Sequence, residues 1–163
     1  MSYHIRLAEF PDLPRILEIY AEARQFMRSS GNPNQWKTTH PAESILRDDI
    51  PKRQLYVCTE ADHILAVFAY IPGPDPTYAV IEGGQWCNDK PYGVIHRIAV
   101  ARRNAGIASY CFHWALQQCP NLRIDTHRDN LPMQKALCKN GFTPCGTIYL
   151  ANGDPRIAFH KEI

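Results

Sequence analysis

Long apolar runs are missing from this chain: none approaches the length of a membrane span, and the opening MSYHIRLAEFPDL lacks the apolar centre of a signal peptide. A cytoplasmic protein with no membrane partner is therefore expected. The six cysteines, at 58, 87, 111, 119, 138 and 145, include no C-x-x-C pair, and several sit in apolar periodic segments as core residues do, so reduced thiols are expected rather than a disulfide framework. The seven histidines are not spaced among those cysteines as ligands would be, and no metal site is expected. Excess charge is also scarce. With a formal net charge of +2 and its basic residues scattered, the chain has no stripe for gripping nucleic acid, and no nucleic-acid partner is expected. There is no internal repeat, no G-K-[ST] loop and no G-x-G-x-x-G, which excludes a Walker-type triphosphate site and a dinucleotide fold.

What is present is enough apolar material for one core: 163 residues, 45% of them hydrophobic, fit a single domain spanning 1–163. YHIRLAEF alternates like a strand, and the next segment sets Leu13, Ile16, Leu17, Tyr20 and Met27 on one helical face, with Asp12 as its N-cap. A shorter helix is expected over about 41–53, then a hairpin of strands at 54–60 and 64–71. After a proline-rich loop come a strand at 94–100, a helix at 106–118 with Ile107, Cys111, Trp114 and Ala115 inward, and a short strand NLRIDT. A helix at 131–140 capped by Gly141, and a closing hairpin turning at ANGDP, complete the order. The strand-helix-strand unit demands a parallel pair and the hairpins antiparallel ones, so the fold class is α/β (α+β) with a mixed sheet and helices on both faces.

The junction HRIAVARRNAGIAS carries the chemistry. The first amides of a helix lack intrahelical partners and face the positive end of its dipole, which makes an anion receptor. Gly106 and Ala108 offer no side chain to block a phosphate, Asn104 tolerates left-handed geometry, and Arg102 or Arg103 adds charge. On physics alone a plain turn flanked by solvated arginines is the equal competitor.

Three motifs in order resemble the GNAT superfamily of acyl-CoA-dependent N-acyltransferases: IRLAEFPDLPRILEIY at the start, the pyrophosphate pattern R-x-x-G-x-A at Arg103–Ala108 after Ile98-Ala99-Val100, and Asn130 opening a helix that ends in KNGF. The resemblance implies a twisted mixed sheet of six to seven strands, parted between the fourth and fifth. It implies acetyl-CoA as co-substrate, with the backbone of Ile98, Ala99 and Val100 along the pantetheine. Arg103, Asn104, Ala105, Gly106, Ile107, Ala108 and Ser109 would lie around the pyrophosphate, and Asn130 on the opposite wall. It further implies acetyl transfer to a primary amine of a small molecule or peptide, and a homodimer as one available assembly. One departure is plain: many members carry a tyrosine acid four residues before the Gly of G-F, and Leu137 stands there. A non-catalytic acyl-CoA sensor is therefore the alternative function.

For the base that deprotonates the amine, Glu82 beside Gly83-Gly84 comes first and His96 second, each against a bland reading, as a strand-end surface charge and as a core histidine sharing a face with Ile98. Gln35 and Trp36 of NPNQW, Tyr78 of DPTY, and His127 after the fifth strand are candidate acceptor contacts, each also readable as local packing.

Overall fold

Residues 2–163 are described by the computed structural model. β1 (Tyr3–Leu7) passes through a 3-10 turn at Phe10–Asp12 into α1 (Leu13–Ser29), followed by α2 (Glu43–Asp49), β2 (Leu55–Glu60) and β3 (His63–Pro72). A second 3-10 turn at Pro76–Tyr78 precedes β4 (Gly93–Val100), α3 (Ile107–Gln118), β5 (Asn121–Thr126), α4 (Leu131–Lys139), β6 (Thr143–Tyr149) and β7 (Pro155–Glu162). The strands form one seven-stranded sheet, ordered β1-β2-β3-β4-β5-β7-β6. Among the described residues only β4 and β5 pair in parallel, as the intervening α3 crossover requires.

Each face of the sheet is covered by the helices whose apolar stripes the sequence displays. α1 buries Leu13, Ile16, Ile19 and Tyr20 with Leu46 of α2 against Leu55, Val57, Val67 and Ala99. α3 and α4 cover the other face, where Ile107, Cys111, Phe112, Ala115, Leu116 and Leu137 meet Phe68, Ile95, Leu122 and Ile124. Each such aliphatic or aromatic side chain contributes about 1.5–3 kcal/mol on burial. Leu137 is fully buried and belongs to this core.

Three local expectations are corrected. Asp12 does not cap α1 with its side chain, because its carboxylate is taken by Arg6 and by the Glu9 amide. The second helix is shorter than 41–53, since Pro41 and Ala42 stay extended or outside and the chain turns after Asp49. On α3 Ile107, Cys111 and Ala115 are buried as expected but are joined by Phe112 and Leu116, while Trp114 is only half-buried, against Tyr56, Phe68 and Tyr70.

Two irregularities of β4 position the site. Its pairing with β5 stops after Gly93↔Leu122 and Val94↔Arg123, so from Ile95 onward the two strands diverge. Its pairing with β3 slips between Ala69↔His96 and Val67↔Ala99, leaving an extra residue on β4. Arg97 sits in that bulge with φ 55, a left-handed conformation that costs a non-glycine residue about 1–2 kcal/mol. The cost is offset by anchors on both covering helices: the Tyr20 hydroxyl donates to the Arg97 carbonyl at 2.8 Å, and the Arg97 guanidinium pairs with buried Asp49. Asp49 is itself held by Gln54 at 2.8 Å.

Candidate active site

The gap between β4 and β5 opens into a cavity of about 710 Å³. Its floor is the turn from β4 into α3. Asn104 (φ 59) and Gly106 (φ 72) are both left-handed, and a Cβ on Gly106 would meet no atom within 4 Å, so that position faces open space. No side chain caps α3, and among the described residues its first paired amide is that of Tyr110, which donates to the Gly106 carbonyl at 3.0 Å. The amides before it are free for an anion. From β1, Tyr3 fixes the turn by donating to the Ala105 carbonyl at 2.9 Å.

All the residues expected around the cofactor line this one cavity: Ile98, Ala99, Val100, Arg103, Asn104, Ala105, Gly106, Ile107, Ala108, Ser109 and Asn130. The side chains of two of them are hydrogen-bonded within the protein already. Asn130 caps α4 by accepting the Met133 amide at 3.1 Å and donates to Gln35 at 2.8 Å, so it shapes the wall. The Ser109 hydroxyl oxygen accepts from Asn140 at 3.0 Å, leaving its proton free. Arg103 lies 3.7 Å over the Phe26 ring of α1, which holds its charge at the rim. Sequence reasoning missed Lys135 and Lys139, one turn apart on α4, and Glu22, Ala23, Phe26, Met27 and Ser30 on α1. The lysine spacing was the available signal, since positions four apart share a helix face.

These features fit the diphosphate end of coenzyme A: unpaired amides, left-handed turn residues without bulk, and four basic side chains, Arg102, Arg103, Lys135 and Lys139, on one cavity. The β4 edge from Ile98 to Val100, unpaired toward β5, offers main-chain groups to an extended amide-bearing arm.

On the opposite face of β4 the candidates disperse. Because the bulge shifts the alternation, His96 and Ile98 do not share a face: Ile98 packs with the α3 core, whereas the His96 ring lies 6.2 Å from Tyr78. His96 Nε2 is 2.7 Å from Asp75 Oδ2. Burial pushes the Asp75 carboxyl up, but the bonds from His96 and from the Thr77 hydroxyl and amide outweigh it and hold it at about 2. An ionised Asp75 takes the Nε2 proton as its partner and leaves Nδ1 as the basic nitrogen.

Glu82 is corrected. It is exposed, and its backbone bridges Thr147 of β6, the outermost strand, through bonds of 2.9 and 2.8 Å. Two strands, β5 and β7, stand between β6 and β4. Gly84 does not open the backbone toward a cleft either; a Cβ there would lie 1.9 Å from the Cys145 carbonyl, so glycine lets the loop press onto β6.

The acceptor candidates are largely consumed by packing. Trp36 is 7% exposed, edge-on to Tyr20 and His40, and so lies under its loop. Gln35 accepts from both Asn32 and Asn130 at 2.8 Å, joining the α1–α2 loop to α4. Tyr78 is fully buried, with its hydroxyl 2.6 Å from Asp125 and its carbonyl accepting from Trp86. His127 accepts the Asp129 amide at 3.0 Å, and burial, followed by the charge of Arg156, lowers its pKa. His40, unremarked in the sequence, is half-buried beside Arg97 and Arg156, and burial first and those charges next bring it down to about 4.

No protein-family model matches the chain, and no curated protein matches it. Solved structures do. The chain is similar to an acetyltransferase of the GNAT family from Streptococcus agalactiae at 29% identity, covering 100% of this chain and 96% of that one with a TM-score of 0.91. A GNAT-family acetyltransferase from Bacillus cereus shares 20% identity over 99% and 98% of the two chains, TM-score 0.64. A ribosomal-protein-alanine N-acetyltransferase from Brucella melitensis shares 18% over 98% and 99%, TM-score 0.65. These neighbours support an acyltransferase. The chain has the fold of the GNAT acetyltransferases, and these neighbours support its assignment to that superfamily.

Proposed function

We propose that the protein is an acetyl-CoA-dependent N-acetyltransferase acting on a primary amine of a small molecule or peptide. The observation that carries this reading is the set of unpaired amides at the start of α3, behind left-handed Asn104 and Gly106, on the floor of the cavity between β4 and β5. Bound acetyl-CoA supplies an activated thioester carbonyl. The α3 amides with Arg103, Lys135 and Lys139 hold the diphosphate, and the β4 edge from Ile98 to Val100 orients the arm. An amine with a reference pKa near 10.4 arrives protonated at neutral pH and must lose a proton to attack. His96 Nδ1, with Nε2 held by Asp75 one residue before the bulge, is the group we assign to receive it.

The test is direct. Calorimetry with coenzyme A should show one binding event, and incubation with acetyl-CoA and a panel of amines should release thiol. Absence of heat with coenzyme A overturns the reading at its root. Binding without thiol release from any amine supports the sensor alternative, which rests on buried Leu137 at the position where many relatives carry a tyrosine.

A further inference from the structure

The sequence gives no reason to expect a metal ligand set, but folding brings Cys87, Cys145 and His160 together from the β3–β4 loop, β6 and β7, with their ligand atoms all within 4.8 Å of one another. We propose that these three side chains form a binding site for a thiophilic d10 cation, zinc above all, with water as the fourth ligand.

The spacing suits the chemistry. With zinc–sulfur bonds of about 2.3 Å at a tetrahedral angle, two thiolates stand roughly 3.8 Å apart; Cys87 Sγ and Cys145 Sγ are 3.7 Å apart. That separation is set by packing that tolerates no bulk. A Cβ on Gly84 would collide with the Cys145 carbonyl, and one on Gly146 would lie 2.6 Å from the Glu82 carbonyl. The loop carrying Cys87 is therefore pressed against the strand carrying Cys145.

The imidazole is oriented as metal-binding histidines are. His160 Nε2 lies 2.6 Å from Asn121 Oδ1. The Asn121 amide group donates to Asn88 Oδ1 and to the carbonyls of Lys90 and Pro91, so its oxygen is an acceptor and Nε2 carries the proton. The Nδ1 lone pair is thereby fixed toward Cys87, whose amide it accepts at 3.1 Å. A cation takes over that lone pair, and each thiol releases one proton on binding. Cys87 is exposed, which gives the ion an entry path and its fourth position to water. Coordination would brace the loop that also carries Asp75 and Tyr78, tying it to β6 and β7.

The experiment uses the reduced full chain. Competition against a chromogenic chelator and native mass spectrometry should show one zinc bound with the loss of two protons, and cobalt(II) should give thiolate-to-metal charge-transfer absorption. Cys87→Ser, on the exposed loop, should weaken zinc binding more than about 100-fold, beyond the 10–100-fold typical of losing an outer-shell partner. Cys145→Ser should match it, whereas Cys119→Ser and Cys138→Ser should bind as wild type. Equal affinity in wild type and Cys87→Ser overturns the proposal. So does loss of zinc on removing either remote thiol, or a wild-type protein that yields only a Cys87–Cys145 disulfide and never the metal adduct.

Discussion

The two faces of β4 are built by opposite strategies. On the side of the α3 turn, one continuous stretch, Ile98 to Ser109, supplies half of the residues that wall the cavity and exposes the free main-chain amides at the start of α3. On the side of His96, every functional group comes from a different segment: Asp75 from the β3–β4 loop, Tyr20 from α1, Asp49 from α2, Asp125 from β5. A site made of backbone tolerates much sequence change as long as its dihedrals survive. One made of side chains is specific to its residues, which suits a common coenzyme on one face and a particular acceptor on the other.

Substitutions can break this contrast or sharpen it. His96→Gln should lower turnover by about 10²–10⁴-fold, the range for losing a positioned base, with coenzyme affinity unchanged; stopped-time thiol release and calorimetry on the same sample separate the two. Gly106→Val should do the reverse. A β-branched residue is strained at that left-handed φ and fills the open space over the free amides where the diphosphate would lie, so coenzyme affinity should fall about 100-fold, or about 2.7 kcal/mol, with the His96 side intact. A His96→Gln protein that lost coenzyme binding would show the two faces to be one unit.

Acid should strike the side-chain face first. His40 is brought down to about 4 in the folded chain, so between its unfolded value of about 6.5 and that value the unfolded state binds more protons and stability falls as pH falls. Thermal unfolding should show stability falling between pH 7 and pH 5, and His40→Gln should remove its own part of that loss while the part due to His160, which burial also brings down to about 4, remains. The smallest effect is expected from Tyr20→Phe, which leaves the Arg97 carbonyl without its bond at about 1 kcal/mol. Amide exchange along β4 should then speed up at the bulge while the α3 turn keeps its protection.

The same division explains what could be read from the chain in advance. The strand and helix order followed from alternation and periodicity, and the phosphate turn from small residues beside arginines, because those are local patterns. The bulge was invisible: no glycine or proline marks Arg97, and its φ of 55 is held by Tyr20 and Asp49, far away in sequence. Missing it put His96 and Ile98 on one face. Glu82 misled for a related reason, since Gly83-Gly84 is equally compatible with an opening and with close packing, and only the position of Cys145 decides between them. The His96–Asp75 pair and the Cys87, Cys145, His160 cluster needed contacts that no spacing rule encodes.

The seam between β4 and β5 is held by two residue pairs alone, so strands one to four and strands five to seven are nearly separate sheets along this line. A molecule lodged at the open end would touch β4 and α1 on one side and α4, which follows β5, on the other. Coenzyme would then act as mortar for the whole architecture: saturating it should delay melting of distant β1 and β6 alike, as linkage between occupancy and unfolding demands.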